Sequence, residues 1–158
     1  MREILFRGKR IDNGELVEGH YHYAHWYLPP SMKIVDTTHY ILPIGHGDSH
    51  KVAIETVGQF TGLTDKNGKK IFEGDVIKFH KYRGEPDWVG TIRYEHCCYI
   101  ATGRMPVANE KRKNEKPFYC PFEVGLSGID KTTIEVIGNI HDNPELLGGA
   151  EDGNSERV

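Results

Sequence analysis

Apolar residues in this chain come in short alternating runs, not in helical stripes. From Leu16 to Tyr23 the pattern is cleanest: Val17, Tyr21 and Tyr23 fall on one side of an extended chain, Glu18, His20 and His22 on the other. A period of two is that of a half-buried strand. A strand over Glu3 to Arg7 precedes it, and between them lies Asp12-Asn13-Gly14, whose Asn-Gly pair tolerates positive φ. The two strands are therefore expected to close an antiparallel hairpin. Pro29-Pro30 interrupts the alternation, a further strand runs through Tyr40-Ile41-Leu42, and Gly45-His46-Gly47-Asp48-Ser49-His50 is a polar loop with a unit boundary soon after it.

The second half repeats the style. Val57 to Leu63 is apolar with small residues, and Asp65-Lys66-Asn67-Gly68 is a turn with Gly at the left-handed position. Glu73-Gly74-Asp75 leads into a strand over Val76 to His80, and Trp88 to Tyr94, Phe118 to Val124 and Ile134 to Ile140 supply more. A Gly-Asp pair before a β-branched strand is a common way into SH3-like barrels. Asn143-Pro144-Glu145 starts a short helical turn, with Asn capping and Pro at the first helical position. The expected class is mainly β: an N-terminal β-hairpin or small-sheet unit, Met1 to Ala53, then an SH3-like β-barrel, Ile54 to Leu147. Gly148 to Val158, Gly-rich and acidic, is expected to be a disordered tail.

Composition narrows the picture in three ways. A length of 158 residues suits one domain or two small ones, and 18 glycines with 8 prolines fit a turn-rich β protein. No apolar run reaches membrane-span length and Met1-Arg2-Glu3-Ile4 lacks a signal-peptide core, so a cytoplasmic protein without a membrane partner is expected. The net charge of −3 gives no global pull toward nucleic acid. Cys97, Cys98 and Cys120 are an odd set with two neighbours, expected to stay as buried thiols.

Several blocks carry a family likeness. They are Glu55-Thr56-Val57-Gly58-Gln59-Phe60-Thr61-Gly62-Leu63, Asp65-Lys66-Asn67-Gly68-Lys69, Phe72-Glu73-Gly74-Asp75 and Glu135-Val136-Ile137-Gly138-Asn139-Ile140. With the opening MREILFRGKRIDNG and the closing IEVIGNIHDNPELL, the chain resembles the YopX family of phage and prophage proteins. The resemblance implies a phage or prophage gene product with an SH3-like barrel in its C-terminal part, and it brings no catalytic residue set. Read physically, the blocks look structural: their glycines serve turns or close strand approach, and Asp65 and Asp75 can accept from turn amides.

Candidate chemistry remains sparse. His20 and His22 share a strand face, with His25 nearby, and could begin a metal site; His46, Asp48 and His50 would join only if their loop folds back. His96 with Cys98 is a conceivable nucleophile pair without an orienting third group. Arg104 to Lys116 lacks apolar periodicity and reads as a long loop. There Arg104, Lys111, Arg112 and Lys113 could contact phosphates, with Trp88, Tyr94 and Tyr119 as stacking faces. Arg83 and Arg93 could hold an anion. No Gly-x-Ser-x-Gly, P-loop, His-Glu-x-x-His or complete EF-hand loop is present, so no cofactor is expected and an enzyme is the less expected class. Three functions compete. The leading one is a non-enzymatic phage accessory protein whose barrel loops bind a host protein or nucleic acid. The others are an oligomer that captures a small nucleotide to blunt a host immune signal, and a metal-dependent hydrolase. Unpaired strands also invite a homo-oligomer.

Overall fold

A computed structural model of the chain describes residues 3–28, 33–45, 47–80, 87–107 and 118–147. The structure is built from strands β1 (Phe6–Lys9), β2 (Leu16–Leu28), β3 (Lys33–Pro43), β4 (His50–Lys51), β5 (Gly58–Thr64), β6 (Lys70–Phe72), β7 (Asp75–Phe79), β8 (Trp88–Glu95), β9 (Cys98–Val107), β10 (Phe118–Gly125) and β11 (Ile134–Asn139). Short 3-10 turns lie at Ile54–Thr56, Leu126–Gly128, Lys131–Thr133 and Pro144–Leu147. Among the described residues none of these turns, or any other helix, is long and apolar enough to cross a membrane.

A six-stranded sheet has the order β4-β3-β2-β1-β5-β6, and a five-stranded sheet the order β10-β9-β8-β7-β11. The chain divides into two compact units at Gly62/Leu63, inside β5. In the first unit the expected hairpin is present: β1 lies antiparallel to β2 in register Phe6↔Gly19 to Lys9↔Leu16, and Gly14 turns the chain at φ 74°. Gly19 is required for packing, since a Cβ there would lie 1.9 Å from the Leu42 carbonyl oxygen. Leu5, Ile41, Val52 and Phe60 are buried.

The second unit packs Ile71, Ile77, Phe79, Ile92, Ala101, Leu126, Ile134 and Val136 into one apolar cluster. Gly74 takes φ 81° at the mouth of β7, and Asp75 follows, buried, accepting the Phe72 amide at 2.8 Å. The mainly β class is as expected, but the expected closed barrel is not seen. Among the described residues β10 and β11 form the two edges of the second sheet and are not paired with each other, so the sheet stays open.

Three further expectations are corrected. The stretch from Arg104 was expected to be a loop, yet β9 runs on through Val107, its backbone paired with β10 from Ile100↔Gly125 to Val107↔Phe118. Ladder pairing there outweighs a charged, aperiodic sequence. Cys97 and Cys98 are exposed, not buried. The candidate pair His96 and Cys98 does not share a strand either: Glu95 pairs with Cys98, leaving His96 and Cys97 as a two-residue turn with φ of 50° and 64°. Both values are positive, as in the type I′ hairpin turn that usually takes Asn-Gly. The expected tail and the segment from Ala108 to Pro117 lie outside the described residues.

Candidate interaction surface

Strands β2 and β3 are long because they pair with each other well past their other neighbours. Their ladder runs from Gly19↔Pro43 to Leu28↔Lys33, whereas β1 reaches β2 only as far as Gly19 and β4 touches β3 only at Tyr40 and Ile41. Among the described residues, β2 and β3 beyond those points form a two-stranded ribbon. Aromatic rungs line it. On one face Tyr21 stacks with His39, their rings 5.9 Å apart, and Tyr23 lies 4.9 Å from His25. On the other His22 stacks on Tyr40 at 5.3 Å, and Trp26 Nε1 donates to Thr38 Oγ1 at 3.2 Å.

Near the base, Tyr21 is half-buried and its hydroxyl lies 2.6 Å from His39 Nδ1. Burial, and next the neighbouring Tyr23, push its phenol pKa up. Toward the tip cover is lost: Tyr23, Trp26, Tyr27 and Ile34 are 57%, 55%, 48% and 54% exposed. A two-stranded hairpin is at best marginally stable alone, and clustered exposed apolar groups mark interaction sites. Apart from imidazoles, Asp36 is the one charged group among the described side chains of this ribbon segment, 21–27 and 34–43.

The second unit carries a polar chain across β7 and β11. Glu135 Oε2 lies 2.8 Å from Lys66 Nζ and 2.9 Å from His80 Nε2; on the opposite ring edge His80 Nδ1 lies 3.4 Å from Asp87 Oδ2, which Lys78 Nζ approaches to 2.9 Å. The Lys66 hydrogen bond first, and then that of His80, hold the Glu135 carboxyl below its ordinary range, while Asp87 raises Lys78. Because the imidazole stands between the two carboxylates, they cannot converge on one ion. This chain of polar contacts ties the start of β11 to the two ends of the β7–β8 connection.

Asp65 shows how a turn acid becomes architectural. It is 5% exposed; Oδ1 accepts the amides of Asn67 and Lys69 at 2.8 and 2.9 Å, and Oδ2 accepts that of Val136 at 3.0 Å. Burial alone would raise its pKa, but the Val136, Lys69 and Asn67 amides outweigh it and hold the carboxyl low.

The residues singled out in the sequence are scattered. His20 and His22 share the exposed face of β2, but alternation places His25 on the opposite face, where Nδ1 lies 2.9 Å from Thr37 Oγ1. Among the described residues no three His, Cys, Asp or Glu side chains gather as a metal-binding group. Trp88 is half-buried against Phe79, 5.4 Å between rings, and Arg93 lies 3.8 Å from Glu95. Tyr94 is exposed beside Tyr99 at 5.0 Å. Arg104 and Tyr119 have backbone places in β9 and β10, opposite Pro121 and Pro106. Arg83, Lys111, Arg112, Lys113 and His46 lie outside the described residues. Tyr23, Trp26, Tyr27 and Ile34 were not foreseen as a surface. Their signal was present: aromatic residues occupy both phases of the alternation from Tyr21 to Tyr27.

Comparison with curated proteins returns no match. Among solved structures, the crystal structure of protein EF1440 from Enterococcus faecalis is similar at 22% identity, covering 93% of this chain and 99% of that one, with a TM-score of 0.46. The profile of the YopX protein family matches residues 5–148, nearly the whole length. With the resembling blocks built into turns and strand junctions, the chain belongs to the YopX protein family.

Proposed function

We propose that this is a non-enzymatic accessory protein, encoded by a phage or prophage, that docks a host protein through the aromatic faces of the β2–β3 ribbon. One observation carries the choice: Tyr23, Trp26 and Tyr27 stand about half exposed on a ribbon segment, 21–27 and 34–43, almost without charge among its described side chains. Interface cores are enriched in Tyr and Trp and depleted in Lys, Asp and Glu, whereas nucleic-acid surfaces need cations for phosphate. The ribbon therefore favours a protein partner over nucleic acid. We further read the second sheet as an opened SH3-like arrangement. Four meandering strands, 3-10 turns and a last strand returning beside the first support that reading.

Tagged wild-type protein and the Trp26→Ala/Tyr27→Ala variant, recovered from the bacterial host, test the docking surface. One protein held in stoichiometric amount by the wild type and lost by a still-folded variant supports it. Equal recovery by both, or nucleic acid whose retention falls steeply with salt, overturns it.

A further inference from the structure

The two outer edges of the ribbon are built differently. On β3, Val52 N donates to the His39 carbonyl at 2.9 Å, so the His39 backbone faces away from β2. By the antiparallel alternation Thr37 faces the same way, and its N–H is already taken by Asp36 Oδ1 at 2.7 Å. The register also slips between Trp26↔Asp36 and Tyr27↔Ile34, which places a bulge on β3 at Val35 and leaves β2 regular. A bulge and an edge carboxylate are two of the devices by which proteins prevent strand edges from pairing.

On β2 neither device is present. Tyr23 sits opposite His39, so its N–H and C=O also face outward, and Tyr21 and His25 follow by alternation. Along this edge, from Tyr21 to Tyr27, no Asp, Glu, Lys or Arg side chain, proline or bulge intervenes. Among the described residues, then, the ribbon has one edge defended and the other left open, which makes it directional.

We infer that β2 pairs antiparallel with β2 of a second copy of this chain, about a two-fold axis at Ala24. The inference rests on the ribbon being a docking element and assigns its edge to self-association, leaving the aromatic faces for the partner. A two-fold contact sets the residue on its axis against its own counterpart, so an Asp, Glu, Lys or Arg there would repel itself, and this edge has none. Placing the axis at Ala24 puts the smallest side chain of the stretch where the strands meet most closely. Tyr23 then faces His25 of the other copy, and His22 faces Trp26. The first of these pairings extends a ring contact that each strand already makes internally. The product is a four-stranded sheet, β3-β2-β2-β3, with both sets of aromatic rungs displayed together.

Sedimentation velocity on the full chain, over low to high micromolar concentration, tests this with four samples. The wild type should dimerise reversibly. Ala24→Glu and Ala24→Lys, each placing like charges across the axis, should weaken dimerisation roughly tenfold or more. An equimolar mixture of the two should dimerise again, which a mere folding defect would not allow. A monomeric wild type, or a dimer indifferent to both substitutions, overturns the inference. If those results come with intact host-protein capture by the Trp26 and Tyr27 faces, only self-pairing fails; if capture is also absent, the docking reading fails with it.

Discussion

Substituting Asp65 by Asn exchanges one carboxylate oxygen for an amide nitrogen and removes the charge, with almost no change in size. The remaining carbonyl oxygen can still accept the amides of Asn67 and Lys69, but the new amide nitrogen must face the buried Val136 N–H, donor against donor. A charge-assisted bond to a buried amide contributes about 1.5–3 kcal/mol, and the two retained bonds weaken once the acceptor is neutral. The total is about 3 kcal/mol, a large share of a typical stability of roughly 5–15 kcal/mol. For a unit of this size each kcal/mol moves Tm by about 4–8 °C. Urea titration in a Trp26→Phe background, which leaves Trp88 as the reporter, measures the loss directly. The pH dependence sharpens the test. The folded carboxyl titrates below its ordinary value of 3.8, so its stabilisation is complete above the unfolded pKa and disappears as pH falls through the folded one. The gap between wild type and Asp65→Asn should therefore be full at neutral pH and close in acid. A neutral-pH difference under about 1 kcal/mol, or one that does not change with pH, would refute the reasoning.

Two further substitutions probe the backbone. Gly138→Ala would place a Cβ 2.5 Å from Asn143 Oδ1 and 2.9 Å from Leu146 Cδ1, and should destabilise by about 1–3 kcal/mol in the same urea assay. Cys97→Gly relieves a left-handed backbone at φ 64° and should stabilise by about 1 kcal/mol, seen as a higher Tm by calorimetry.

What could be read from the chain depended on how local its cause was. The Asn13-Gly14 turn, the alternation in β2 and the Gly74-Asp75 step into β7 are set by neighbouring residues, and all three are in place. Strand β9 was not legible, because Arg104 to Val107 is extended by its ladder to β10 and not by its own pattern. Closure of the second sheet was equally remote, since it depends on whether two edge strands distant in sequence meet. Exposure of the thiols followed from a turn that His96 and Cys97 do not advertise. The surface was half legible: the rungs were visible as alternation, but the shortness of β1 and β4, which uncovers them, was not.

The polar chain around His80 has a bearing on how this fold can vary. Lys78 and His80 both hold Asp87, so the two feet of the β7–β8 connection are clamped together whatever runs between them. Lengthening a clamped connection costs little, since closure entropy grows only with the logarithm of its length. The clamp makes this a natural graft point, where related chains can exchange whole segments while the sheet beneath keeps its form.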